Sequence, residues 1–583
     1  MDESETVEIP QIKESLKDDN NPYAYLDRND FTSEKYKIEI RGLPKHYGMG
    51  EFKKFLNEKL NLDTCKVKPP KKNNSWLYAS FRNEESRSKA ISTINGISWK
   101  NHKLTAQVAK PAPDPFIKRK LEQGDSNNKR SKVDEEDKAL SPSERVRNST
   151  VPLWNIPYTE QLELKQKEMR GTLLKMGQQI SKENKSLAKW IDLQQSVHHG
   201  LLCELQEIRS AELIKGYRNK CEFTIGKNIE GTETIIGFRI SSYAAGSTAV
   251  GPIQDLCHIP QRMKSAIMIC EEFIKKSKYD VFNPVDHRGY WKQVTARTTR
   301  CDHLMLIIGM NPQCLSVDEL NEIKGEIRDY FENGKGLEAR VTSLYFQTIS
   351  LRSAGGQDGG TIDHLSGREC IQEILLDMTF RVSPEAFFQV NTMAAEILYK
   401  TAIELANPNS DIALLDVCCG TGTIGLCFSK FCGEVLGLEM VSNAIKNARE
   451  NAIKNDVTNC EFFVGKAEDI LHTVIQRTSK SSIIAVVDPP RAGLHKTALL
   501  ALRRAKKLKK LIYIACDPKA AIRNLVDLAR PTSKQYVGEP LVPIKAVPVD
   551  MFPYTKHCEL IICLERISVV QEHNKELIVS NDR

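Results

Sequence analysis

The chain has 583 residues, 40% of them apolar and 27% charged, with a formal charge of +8. That length is too great for one hydrophobic core and fits about three to four folded units with linkers, and the lack of any long uncharged apolar run argues against a membrane span. The 16 cysteines lack the short paired spacings of a zinc or iron-sulfur site, so most are expected to be buried free thiols.

The acidic, polar start Met1-Asp2-Glu3-Ser4-Glu5 is unlike a secretory or mitochondrial leader, and a cytosolic location is expected. Residues 1–35 show little periodicity and are expected to be disordered. Over 36–109, alternation at Ile38-Glu39-Ile40 and at 76–81, helical patterns at 49–60 and 84–95, the turn Asn95-Gly96 and a strand near 103–108 give a β-α-β-β-α-β order. This order resembles an RNA-recognition motif. The resemblance implies that Trp76 and Tyr78 stand at exposed stacking positions with Phe81 turned inward, while Glu39 occupies a place where an aromatic is usual. Residues 36–110 hold 16 Lys or Arg against 6 Asp or Glu, which suits a phosphate-backbone partner or a merely solvated basic face.

Residues 110–150, with Pro111, Pro113 and Pro115, read as a flexible basic linker. Its runs Lys118-Arg119-Lys120 and Lys129-Arg130-Ser131-Lys132 suit a nuclear signal, an RNA tether or a plain solvated segment. Residues 151–205 read as a helical arm. Residues 206–375 read as a central α/β RNA-binding domain, with strands at 221–225 and 235–239, helices at 259–276 and 317–332, and a glycine-rich loop at 355–360. Its run Tyr217-Arg218-Asn219-Lys220-Cys221-Glu222-Phe223 is dense in groups that contact phosphates and bases, though packing around a strand start explains it nearly as well.

From about 376 to 566 apolar strands at 413–417, 434–439, 460–464, 483–488 and 510–515 alternate with helices, which predicts right-handed crossovers and a doubly wound, Rossmann-like parallel sheet. Residues 567–583 read as a tail. The turn Cys418-Cys419-Gly420-Thr421-Gly422-Thr423-Ile424-Gly425 follows the first of these strands. Gly420, Gly422 and Gly425 satisfy a dinucleotide fingerprint with Glu439 near the ribose-binding spacing, so the turn alone leaves a nicotinamide enzyme and an S-adenosylmethionine enzyme equally open. A sulfonium donor has no pyrophosphate to cradle, and an acid before the turn, Asp416, suits it better than it suits a diphosphate. Glu439 can accept from both ribose hydroxyls. Asp488-Pro489-Pro490 closes the fourth strand, the prolines stiffening the loop.

Cys516 ends the fifth strand ahead of a helix whose N-terminus is expected to favour the thiolate. Carbon 5 of uracil is a poor nucleophile until a thiolate adds at carbon 6, after which a base must remove the carbon-5 proton. Glu559 is the candidate base, with His557 expected two residues earlier on the same strand face as an orienting partner. These residues, with Phe387-Phe388-Gln389-Val390-Asn391, resemble the RNA uracil-5 methyltransferase family over the C-terminal two-thirds of the chain. The resemblance implies S-adenosylmethionine as cofactor, held by Gln389, Glu439 and Asp488 with Cys418 and Thr423 lining the turn. It also implies Cys516 as nucleophile, Glu559 as proton acceptor, and the T-loop uridine of tRNA as substrate. Other RNAs, mRNA included, stay open as partners, and a monomer without metal or iron-sulfur cluster is expected. Asp517 stands where many relatives have Asn, and is expected to raise the thiol's pKa unless it turns away. The rivals are an RNA chaperone or tRNA-folding factor with little methyl transfer, and a nicotinamide oxidoreductase, which leaves the thiol and His557-Glu559 unexplained.

Overall fold

A computed structural model describes residues 21–28, 31–45, 47–70, 74–124, 140–350 and 360–572. Among them, no helix is long and apolar enough to cross a membrane. The N-terminal strands Lys37–Arg41, Lys66–Lys68, Trp76–Ser80 and Thr105–Val108 form an antiparallel sheet with the first strand beside the third and the fourth. Period-2 alternation sends Ile38, Ile40, Leu77 and Ala79 inward with Phe81. The two aromatics on the other face are less available than expected. Trp76 and Tyr78 meet edge to face at 5.0 Å, and each carries a cation: Arg41 lies 5.6 Å from the Trp76 centroid and Lys37 4.6 Å from that of Tyr78. Glu39 bonds Arg41.

Part of the expected N-terminal disorder and much of the expected linker are folded. Ala24–Asp27 forms a 3-10 turn, and the Tyr25 hydroxyl donates to the Ala112 carbonyl at 2.6 Å. Residues 1–20 and the run Lys129-Arg130-Ser131-Lys132 lie outside the described residues. Pro115–Gly124 and Pro142–Thr150 are helices. The second starts in a capping box, Ser141 with Glu144, and a proline in its first turn, which satisfies donors that a linker leaves to water. Phe116 stacks on Tyr243 at 5.2 Å, tying this stretch to the central domain.

The arm is likewise built into the body. Met169, Leu173, Met176 and Ile180 of helix Tyr158–Glu183 enter one core cluster of the C-terminal sheet, and buried Lys165 bonds buried Asp550 at 2.7 Å. The strand Glu204–Leu205 pairs with Leu541–Val549 as the outer member of that sheet, so the C-terminal body begins well before residue 376. At the far end, residues 567–572 are helical rather than a loose tail.

The central sheet runs Val250–Gly251, Thr234–Arg239, Lys220–Lys227, Trp291–Thr298, Leu304–Met310, Ser343–Thr348, Ile362–Gly367. Its core takes up helices Gln261–Lys276 and Val317–Glu332. The run expected to contact RNA is mostly packed: Tyr217, Cys221 and Phe223 are buried, and the Tyr217 hydroxyl is used on the Pro553 carbonyl at 2.8 Å. The glycine-rich loop lies outside the described residues up to Gly360.

In the C-terminal sheet Cys460–Val464, Glu434–Glu439, Ile412–Val417, Ser482–Val487 and Leu508–Ala515 are adjacent and parallel. Ala413, Leu415 and Val417 face one core cluster and Leu414 the other, as expected of a sheet covered on both faces. Glu559–Arg566 then joins Leu508–Ala515 antiparallel.

Candidate active site

The five parallel strands end at one edge, and a cavity of about 990 Å³ opens there, where open α/β sheets bind ligands. All eight residues singled out as site residues line it: Gln389, Cys418, Thr423, Glu439, Asp488, Cys516, His557 and Glu559.

The turn after Ile412–Val417 reverses tightly. Cys418 and Cys419 both donate N–H to the Leu438 carbonyl at 3.0 Å, with Cys418 at φ +66° and Gly422 at φ +79°, backbone that favours glycine. A Cβ on Gly425 would stand 2.9 Å from Val435 Cγ1 and 3.0 Å from Asp416 Oδ2, so only glycine lets this helix approach the strand. Asp416 is not a donor-facing acid. It is fully buried, its Oδ2 accepts the Gly425 N–H at 2.8 Å, and burial pushes its pKa up to about 7. Glu439 is half-buried and accepts the Val441 N–H at 3.0 Å.

Gln389 sits in a loop pinned from a distance. Asn219 Nδ2 donates to the Gln389 carbonyl at 3.0 Å, and buried Arg297 donates to the carbonyls of Ala386 at 3.1 Å and Phe388 at 3.2 Å. Between those two anchors Phe387 stands 69% exposed and lines the cavity.

Cys516 and Glu559 meet through strand register. Ala515 pairs with Leu560 across antiparallel strands, which makes Cys516 and Glu559 neighbours at the sheet edge. Glu559 is only 3% exposed, and its Oε2 is enclosed without a hydrogen-bond partner among the described residues. Burial and then the charge of Asp488 raise its pKa, and burial raises that of Asp488. The thiol is also raised, to about 11, by burial and then by Glu559 and Asp488, with Arg491 opposing. Desolvation and the two neighbouring acids thus oppose the thiolate that the helix terminus was expected to favour. Asp517 is not a cause. It is exposed and its Oδ1 caps helix Pro518–Ala529 through the Ala520 N–H at 3.1 Å.

His557 departs from its expected role. It precedes the strand, is exposed, and donates its backbone N–H to Thr555 Oγ1 at 3.2 Å; no hydrogen bond joins it to Glu559 among the described residues. Burial and then Arg491 lower its pKa. Among these residues no group of three His, Cys, Asp or Glu is arranged to hold a metal ion.

A family model described as tRNA (Uracil-5-)-methyltransferase matches residues 363–567. The tRNA (uracil-5-)-methyltransferase homolog A of Homo sapiens is 39% identical over 94% of this chain and 85% of its own length. The chain belongs to the tRNA (uracil-5-)-methyltransferase family. The Mus musculus homolog A is 38% identical over 94% of the chain and 87% of its own length. The fold is shared with a solved Pyrococcus abyssi tRNA (uracil-54, C5)-methyltransferase in complex with S-adenosyl-L-homocysteine. That match has a TM-score of 0.50 and 24% identity, covering 71% of this chain and 84% of that one.

Membership bears out the resemblance read from the motifs and removes the nicotinamide rival. Sequence reasoning assigned no role to Phe387, although it lies inside a quoted motif, or to Arg491, the residue that follows Asp488-Pro489-Pro490. Nor did it find Thr150, Phe238 and His258, which line the cavity from outside the parallel-sheet domain and carry no local signal.

Proposed function

We propose that this methyltransferase moves a methyl group from S-adenosylmethionine to carbon 5 of the T-loop uridine, position 54, of tRNA, through a covalent bond between Cys516 and carbon 6. The observation that carries it is the pairing of Cys516 with an enclosed, unpartnered Glu559 beside a glycine turn. The residues present fit the donor: Glu439 is an acceptor for ribose hydroxyls, Cys418, Cys419, Gly420 and Thr421 of the reversal line the cavity, and Gln389 is held at the same cavity. S-adenosylmethionine supplies an electrophilic methyl group.

The protein supplies the rest. Cys516 gives up its thiol proton to water, its Sγ bonds carbon 6, and the electrons of the carbon 5–carbon 6 double bond move to an enolate that makes carbon 5 nucleophilic. Once carbon 5 is methylated, Glu559 takes its proton, the ring double bond re-forms and the thiolate leaves. Phe387 offers a face on which a flipped uracil stacks, offsetting part of the few kcal/mol that extrusion from the elbow costs. The basic N-terminal module supports tRNA as partner through its phosphates.

The test is tRNA carrying 5-fluorouridine, incubated with enzyme and methyl donor. Fluorine at carbon 5 cannot leave as a proton, so a denaturation-resistant protein–RNA adduct is expected, with none from Cys516→Ala. A wild-type enzyme that methylates tRNA yet forms no adduct would overturn the covalent route.

A further inference from the structure

Beyond the residues assigned to the donor, the thiol and the acid, the cavity wall includes Arg218, Phe238, His258 and Thr150. His258 is 4% exposed, and its Nδ1 is enclosed with no hydrogen-bond partner among the described residues, an arrangement that costs stability unless something else completes it. The residue is firmly held. Its carbonyl accepts the Arg218 N–H at 2.9 Å, and its ring lies 6.2 Å from that of Tyr217, whose hydroxyl is locked to the Pro553 carbonyl.

Burial first, and then Arg218 and Lys264, pull the pKa of His258 down to about 3. The imidazole is therefore neutral, with one donor and one acceptor nitrogen. A neutral ring of this kind matches the edge of a nucleobase, whereas a phosphate calls for a cation such as Arg218. Phe238, half-buried, adds an aromatic face 5.3 Å from Phe223. Unstacked RNA bases are bound in this way, by an aromatic face and edge hydrogen bonds.

We propose that this wall is a second nucleotide subsite, which takes the nucleotide adjoining the flipped uridine: Phe238 stacks on its base, His258 hydrogen-bonds its edge and Arg218 meets its phosphate. The proposal rests on the uridine methyltransferase reading. It makes recognition of the target depend on a neighbour splayed out with it.

The experiment uses the full chain and tRNA transcripts made abasic at the nucleotide on the 5′ or the 3′ side of the target. One of the two abasic positions is expected to raise the KM for tRNA about tenfold. His258→Ala raises it by a similar factor, and the two changes together give no further rise. The KM for S-adenosylmethionine and the affinity for S-adenosylhomocysteine stay as in wild type. Additive losses, an unchanged KM for tRNA, or a parallel rise in both KM values overturns the subsite. If His258→Ala does not bind S-adenosylhomocysteine, Phe238→Leu is judged by the same criteria. A wild-type enzyme that methylates no unmodified tRNA would sink the parent reading and this one with it, a result distinct from normal methylation without coupling.

Discussion

Glu559 carries a stability cost for its position. Its folded-state pKa is raised by burial and by Asp488 above an unfolded value of about 4.3. Its contribution to stability is therefore complete below that unfolded value and is lost as pH rises through the raised one. Glu559→Gln has no ionisable proton to lose. The variant is expected to gain on wild type between pH 5 and pH 9 by at least about 1 kcal/mol, the worth of roughly one pKa unit, in urea denaturation at the two pH values. Its methyl transfer should fall by about 10²–10⁴-fold, as for loss of a general base. A variant that shows equal stability differences at both pH values would mean that Glu559 is not held in the raised state. In the sequence Glu559 and Cys516 were legible as a pair by chemistry alone. Their shared edge was not, because it comes from antiparallel register between strands 508–515 and 559–566.

The loop at 383–391 shows the same division at the scale of an element. Its motif is readable, but its anchors come from far back in the chain, Arg297 being 89 residues from Ala386 and Asn219 170 from Gln389. Arg297→Leu leaves two carbonyls without their donor, at about 1–3 kcal/mol for each enclosed group. It is expected to raise the KM for the methyl donor about tenfold with a smaller change in kcat, checked by steady-state kinetics and by titration with S-adenosylhomocysteine. Equal loss in kcat at saturating donor would place Arg297 in the chemistry instead. Likewise, Trp76 and Tyr78 were read as stacking positions from the resemblance to an RNA-recognition motif, which fixes the face of a residue. It says nothing of Arg41 and Lys37 already lying over the rings.

Across the whole molecule, the segment read as an arm proves integral to the catalytic body. Lys165 and Asp550 are 385 residues apart, and both are buried; Asp550 also accepts from the Tyr158 hydroxyl at 3.0 Å. Lys165→Met leaves Asp550 a buried charge without its cation, and should cost about 3–5 kcal/mol in urea denaturation of the full chain. A loss below about 1 kcal/mol would show the arm to be separable. By itself the amino-acid sequence determined the parallel sheet, its glycine turn and the residues at its strand ends, because strand and helix periodicity and turn chemistry act over a few neighbours. Only the tertiary structure decided that Asp416 braces the turn, that Glu559 lies beside Cys516, and that His258 closes the cavity from another domain. Those outcomes depend on strand order, register and desolvation, which are set by how whole segments pack and not by the few neighbours that periodicity reads.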